Sequence, residues 1–429
     1  MTSSANNNTF APVGELKWLF FDLNSYFASV EQQDRPELRN KPIAIVPSNT
    51  DATCAIAASY EAKAYGIKTG TKIYEAKKLC PDLICVLARH DKYVEYHHRI
   101  FNEVEKHIPI TKVCSVDEAA CLLLSNERQP EQATALAHKI KAGLKANIGD
   151  YVRCSIGIAP NMFLAKTATD MQKPDGLVIL HPHQYRAQLF ALELRDLCGI
   201  GRNIEKRLNK AGIVTVEQFF NLSPKHARKI WGSVAGERFW YNLRGYDIPD
   251  QSTEKRVVGH SRVLDPEHRA SDDAYNIARS LTIKACTRLR RHNMYAKRLS
   301  LGICTTQRTY WGAETTFSPT QDNFTISQSF CELWRRMQRD TRKATLLKVS
   351  INLHDLYKQQ DVTRDLFDTP QTQSKLNKAE LSQAMDILNK RFGAGAINLG
   401  SCPKTDAGFV GTKIAFTRVP EQVEFSEEI

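Results

Sequence analysis

Two acidic residues stand side by side in an apolar run, CSVDEAACLLL (114–124), and a third, Asp22, closes another, LKWLFFDL (16–23). Taking a carboxylate out of water costs several kcal/mol unless a cation or hydrogen bonds compensate it, so Asp117 and Glu118 call for a partner. Adjacent strand residues point to opposite faces, so the pair can share one cation only where its strand reaches a hairpin or a sheet end. Three carboxylates and a main-chain carbonyl can hold two Mg²⁺ ions whose remaining positions suit phosphate oxygens, and the chemistry of such a site is phosphoryl transfer. An isolated Asp-Glu pair at an exposed hairpin end would need no chemistry at all. The surrounding segments decide between the two.

Those segments read as follows. An apolar strand at 16–23 delivers Asp22, and SYFASVEQQ then turns helical. Residues 41–48 and 52–59 look like a strand pair. Two short helices follow within 60–81, punctuated by Gly66 and Gly70 and stopped by Pro81. A strand at 83–90, a helix at 92–107, a strand at 112–124, a helix at 131–147, a strand at 151–158 and a helix at 161–171 complete an α+β unit with three strands converging on one acidic locus. Residues 181–253 read as a small helical module with turns at 199–201 and Gly212. From about 254 the order is strand, helix (272–292), two strands (297–306 and 309–318), helix (325–341) and strand (345–354). A polar linker at 357–374 and a helix at 375–392 precede a Gly-rich end.

The formal charge of +12 lies in the middle of the chain. Residues 181–253 hold 11 basic against 7 acidic side chains and residues 254–356 hold 18 against 10, which together account for the whole excess. A near-neutral front with buried acids followed by basic modules fits a chemical site joined to parts that grip a polyanion. The 11 cysteines form no CxxC pair and no zinc spacing, which fits free thiols in a reducing compartment. No stretch reaches the roughly 18 apolar residues of a membrane span, and MTSSANNNTFAPVG reads as a disordered leader without signal-peptide character.

Four segments, FFDLNSYFASVEQ (20–32), SYEAKAYGIKTG (59–70), CSVDEA (114–119) and SIGIAPNMFLAKTATDMQKPDG (155–176), resemble in order the motifs of the Y-family translesion DNA polymerases. The likeness runs on through LCGIGRNIEKRLNKAGIVTVEQF and GHSRVLDPEHR to about residue 356. DLN is closer to the polymerase V catalytic subunit and SYEAKAYGI to the DinB-type branch. The resemblance implies that Asp22, Asp117 and Glu118 are catalytic and bind two Mg²⁺ ions with the Leu23 carbonyl. It further implies that Phe27 is the steric gate against a ribose 2′-OH and that Tyr26, Phe27, Tyr60, Lys63 and Lys166 bind the incoming nucleotide. Lys166 stands one helical turn before Asp170. The chain departs from the family at Ala57 and Ala58, where one branch or the other carries a triphosphate contact. It departs again at Ala120 and Leu122, beside the acids.

The Gly199-Ile-Gly201 turn followed by Arg202, Lys206, Arg207 and Lys210 has the helix-hairpin-helix pattern, whose backbone N–H groups meet a DNA phosphate. Asp365, Leu366 and Phe367 resemble a sliding-clamp docking motif. The expected architecture is an α+β multidomain right-hand polymerase. It comprises a palm (14–26 and 83–180), small fingers (27–82), a helical thumb with the helix-hairpin-helix (181–253), an α+β little finger (254–356), and a linker and tail (357–429). The implied activity is error-prone, damage-bypassing addition of dNTPs to a primer 3′-OH. The implied partners are primer–template DNA, dNTP, the sliding clamp and other damage-response proteins, with no membrane, in the bacterial cytoplasm at the nucleoid. The rival expectation is a catalytically silent DNA-binding accessory of the damage response.

Overall fold

The computed structural model describes residues 12, 14–249, 254–341, 344–361, 371–393, 396–399 and 419, with backbone alone for 371–377. The described residues up to 249, with Val419, form one compact unit, and those from 254 to 399 form another.

The first unit is built on a five-stranded sheet of order β5-β6-β1-β7-β8. Its strands are β1 (Trp18–Leu23), β5 (Lys112–Val113), β6 (Glu118–Leu122), β7 (Cys154–Ala159) and β8 (Leu177–Ile179). β1 lies between β6 and β7, antiparallel to both, and it is apolar because helices cover both faces. Leu19, Phe21 and Leu23 pack with α4 (His90–Glu105) and α5 (Pro130–Asn147). Phe20 packs on the opposite face, against α6 (Met162–Met171). Strand alternation therefore turns Asp22, two residues after Phe20, toward the α6 side.

The strand expected at 112–124 is a hairpin. Cys114 and Ser115 both donate their N–H to the Glu118 carbonyl, closing a turn that leaves Asp117 in the loop and Glu118 first on β6. The conflict between adjacent acids and opposite strand faces thus does not arise. The strand expected at 83–90 lies in a different sheet. A three-stranded sheet of order β3-β2-β4 joins β2 (Ile43–Val46), β3 (Ala57–Ala58) and β4 (Ile84–Leu87). Because β4 pairs in parallel with β2, residues 84–87 join this small sheet rather than the large one. An apolar run shows that a strand is buried but not which sheet it joins. This sheet packs with α1 (Tyr26–Asp34), α2 (Tyr60–Ala64) and α3 (Ile73–Leu79).

Five short helices follow: α7 (Tyr185–Phe190), α8 (Arg202–Lys210), α9 (Val216–Phe220), α10 (Pro224–Trp231) and α11 (Val234–Leu243). Phe219, Phe239 and Leu208 at their centre are continuous with the α6 side of the large sheet. Asn161 fixes this junction: its carbonyl caps α6, and its amide donates to the Asn242 and Tyr246 carbonyls.

The second unit has an antiparallel sheet of order β11-β10-β12-β9. Its strands are β9 (Val257–Val263), β10 (Met294–Thr305), β11 (Tyr310–Thr320) and β12 (Leu346–Lys358), with α12 (Ser271–Arg291) and α13 (Asn323–Thr341) packed against it. The expected elements are all present. The linker expected from 357 begins later, since β12 runs to Lys358 and α14 (Gln371–Phe392) starts at 371. Asp386 of α14 takes two hydrogen bonds from Arg290 of α12, docking the helix on this unit. The leader, most of the linker and the Gly-rich end lie outside the described residues. Among the described residues no helix is long and apolar enough to cross a membrane.

Candidate active site

Asp22 and Glu118 are directly opposed in the β1–β6 register, so their side chains leave the same face of the sheet. Like charges opposed in this way repel, and two lysines answer them. Lys166 of α6 donates to Asp22 and, at 2.6 Å, to Glu118 Oε2. Lys173 donates at 2.8 Å to Asp22 Oδ1 and at 2.8 Å to Asp170 Oδ1. Burial alone would lower the Lys166 ammonium, but Asp22, Asp170 and Glu118 hold it well above its ordinary value. Asp117 lies beside this cluster. The Ser115 hydroxyl donates to it, and its own carbonyl accepts the Leu23 N–H at 2.8 Å, which ties the hairpin to the end of β1. Burial pushes the Asp117 carboxyl up to about 6, with Asp22 and Glu118 adding to the rise.

Two features place the lysines. Gly157 lies opposite Phe20 on β7, where an added Cβ would meet the Ala165 carbonyl at 2.1 Å, so only glycine lets α6 approach this closely and bring Lys166 to the acids. The loop carrying Lys173 is held by two buried polar residues. Asn24 accepts the Asp175 N–H at 2.8 Å and donates to Ser155 Oγ, which donates to the Gln172 carbonyl. At Ala120, Phe20 stands opposite in register on the same face, with the Lys166 ammonium 5.4 Å from its ring centre. An aromatic is thus supplied to that surface from β1.

The start of α1 forms the next wall. Ser25 precedes the helix in the left-handed region (φ 49°), a strained backbone for a residue with a side chain. Its hydroxyl and that of Tyr60 are buried without a hydrogen-bond partner, although the two groups face one another. Burial raises the Tyr60 phenol and, with Lys173 adding, lowers the Lys63 ammonium, which lies 4.4 Å from the Tyr60 ring centre. Two buried hydroxyls beside cationic lysines suit an anionic ligand with several acceptor oxygens. Tyr26 is buried and donates to the Tyr93 carbonyl at 2.6 Å, so its phenol serves packing in this structure. Half-buried Phe27 stacks on Tyr93, ring centres 4.3 Å apart at 12°.

The acids also fit a divalent cation. Among the described residues no three ligating side chains already stand together as a metal-binding group, and lysine ammoniums pair with Asp22 and Glu118. Hard oxygen donors held to one locus are the donor chemistry of a hard divalent cation.

Farther along, Gly199 takes φ 97° and Gly201 begins α8 with no side-chain cap, leaving its first N–H groups open. Arg202 and Lys206 are exposed beside them, whereas Arg207 turns back to donate to the Trp231 carbonyl. Asp365, Leu366 and Phe367 lie outside the described residues.

Residues 21–170 match the model of the impB/mucB/samB family, and residues 255–366 match that of its C-terminal domain. The chain belongs to the Y-family of translesion DNA polymerases. DNA polymerase IV of Moorella thermoacetica is 29% identical over 389 residues, covering 89% of this chain and 94% of the relative. A chimeric Y-family polymerase of Dbh and Dpo4 superposes with a TM-score of 0.68 at 23% identity over 80% of this chain and 99% of its own, a likeness that shows the fold. An insertion ternary complex of Dbh DNA polymerase gives 0.53 at 25% identity, with coverage of 80% and 99%. The family is metal-dependent, and the right-hand polymerase fold is that of this chain.

Three residues at this locus carry no mark in the sequence. Lys173 sits in the quoted KPDG segment, and a lysine beside a proline turn carries no mark of facing an acid 151 residues away. Ser25 is betrayed only by its backbone angle. Tyr93 looked like an ordinary apolar position of a predicted helix.

Proposed function

We propose that this translesion DNA polymerase uses Asp22, Asp117, Glu118 and the Leu23 carbonyl to hold two Mg²⁺ ions. The supporting observation is the in-register Asp22–Glu118 pair with Asp117 in the adjoining turn. Bound there, the metal would lower the pKa of the primer hydroxyl and offset charge on the leaving pyrophosphate. The protein's own part is positional. Lys166, Lys173 and Lys63, with the Tyr60 and Ser25 hydroxyls, offer charge and hydrogen-bond donors to the triphosphate, and the lysines that now pair with acids can exchange onto phosphate oxygens. The primer 3′-oxygen forms a bond to the α-phosphorus, the α–β bridging bond breaks, pyrophosphate leaves, and the hydroxyl proton passes to solvent. Half-buried Phe27 offers an aromatic face where the sugar C2′ would lie, which leaves no room for a ribose hydroxyl.

Primer–template DNA is held through its backbone. The open N–H groups at Gly201, with Arg202 and Lys206, grip a phosphate, and the basic second unit adds sequence-independent contacts. In the cell the enzyme works in the bacterial cytoplasm at the nucleoid, and Asp365, Leu366 and Phe367 dock on the sliding clamp. Loss of clamp retention in Leu366→Ala/Phe367→Ala would support that contact, and unchanged retention would remove it.

The deciding experiment is primer extension on undamaged template with Mg²⁺. Asp117→Ala is expected to cut extension by at least about a thousandfold while DNA affinity stays within about twofold. An inactive wild-type protein that still binds DNA would restore the accessory reading.

A further inference from the structure

Behind Phe27 lies a buried charge cluster with no part in the reaction described above. Glu31 is fully buried, one helical turn after Phe27 on α1, so the two side chains share a helix face. Both address the same residue of α4. The Phe27 ring lies flat on Tyr93, and Glu31 Oε1 accepts the Tyr93 hydroxyl at 2.9 Å. Arg89, at the N-terminal end of α4, grips Glu31 with two bonds (Nε to Oε1 at 3.1 Å, Nη2 to Oε2 at 2.7 Å) and reaches Asp34 Oδ2 at 2.7 Å. Arg35 adds a third bond to Glu31, on Oε2. The His90 ring meets Phe27 edge-on at 6.1 Å, and Tyr26 ties α1 to the Tyr93 carbonyl.

A buried carboxylate with two guanidiniums is a poor source of stability, because desolvation consumes most of the Coulombic gain; its common use is to fix one arrangement among several. Here the arrangement fixed is that of the Tyr93 ring. A stacked pair without a tether can slide, since offset-stacked and edge-on geometries are both favourable. Tyr93 has its far end bonded to a carboxylate that is itself held from two sides. Burial, with Glu31 adding, raises the Tyr93 phenol, so it stays protonated and keeps donating.

We infer that Glu31, clamped by Arg89 and Arg35, is a positioning residue for sugar selection: it fixes Tyr93 as a rigid backstop that keeps the Phe27 ring from yielding to a ribose 2′-hydroxyl. This rests on the reading of Phe27 as the gate. The substrate discriminated against is a ribonucleoside triphosphate, and the fully buried Glu31 acts through Tyr93.

The experiment measures kcat/KM for a dNTP and its matching rNTP with full-length protein in four forms: wild type, Tyr93→Phe, Phe27→Ala and the double variant. Glu31→Gln and Arg89→Lys serve as further probes, and thermal melting establishes that each is folded. Tyr93→Phe keeps the ring and loses the tether, so the dNTP/rNTP ratio is expected to fall about five- to tenfold, mainly through better rNTP use. Glu31→Gln is expected to fall similarly, and Arg89→Lys less. In the Phe27→Ala background Tyr93→Phe is expected to change nothing further, because the network acts only through that ring. Folded Tyr93→Phe and Glu31→Gln with wild-type ratios would overturn the inference, as would an equal effect of Tyr93→Phe with and without Phe27. Should Phe27→Ala itself leave the ratio unchanged, the gate assignment falls, an outcome distinct from failure of the backstop alone.

Discussion

At Lys173 and Asn24 the site depends on side chains that do not themselves react. Lys173 is tied to Asp22 and sits on a loop that Asn24 and Ser155 hold from within the core. Lys173→Ala is expected to raise KM for dNTP about tenfold or more with a smaller effect on DNA affinity, since a lost phosphate contact weakens nucleotide binding first; steady-state kinetics at saturating primer–template decides this. A different residue makes the hairpin pH-sensitive. His97 is buried on α4 with Nδ1 2.7 Å from the Val116 carbonyl, next to Asp117, and burial lowers its imidazole from 6.5 to about 4. The unfolded chain binds this proton near pH 6.5 and the folded chain only near 4, so the stability it contributes is full above 6.5 and is lost as pH falls between those values. The melting temperature of wild type is expected to fall more steeply across that window than that of His97→Asn.

Among the elements, α8 and α14 show how much depends on what each end meets. Helix α8 starts uncapped at an exposed glycine. Gly199 holds φ 97°, so Gly199→Ala would strain the turn and misaim its N–H groups. DNA affinity is expected to drop about fivefold by fluorescence anisotropy, with the dNTP KM unaffected. Helix α14 is fastened by Asp386 to Arg290, whose side chain is only 4% exposed and which also donates to the Gln321 carbonyl. Asp386→Ala strands a buried guanidinium and is expected to cost about 3 kcal/mol of the second unit's stability. A chemical-denaturation midpoint that does not move would count against that docking.

Across the whole molecule, the acidic locus and the excess basic charge fall in different parts of the sequence. Carboxylates are concentrated where α6 meets the large sheet, while the excess basic charge falls in the α7–α11 helices and the second unit. A polymerase that accepts any template must bind phosphates rather than bases, and such binding weakens steeply with salt. Raising salt from 50 to 200 mM is expected to lower primer–template affinity about a hundredfold or more, with little dependence on DNA sequence. A shallow salt slope would contradict backbone binding.

The order of elements was legible in the sequence, because apolar periodicity and turn residues report local structure directly, while the three candidate acids stood out through the resemblance of the motifs around them. Other features were settled only when distant segments met. The 112–124 run became a hairpin because two N–H groups share the Glu118 carbonyl. Strand β4 joined β2, since hydrophobicity states that a strand is buried without naming its neighbour. Lys173 reached Asp22 across 151 positions, and Tyr93 reached Phe27 and Glu31 across more than 60, through contacts that no local pattern encodes. Sequence set which groups could react. Tertiary packing decided which groups face them, since electrostatics and stacking act over a few ångströms of space and take no account of separation along the chain.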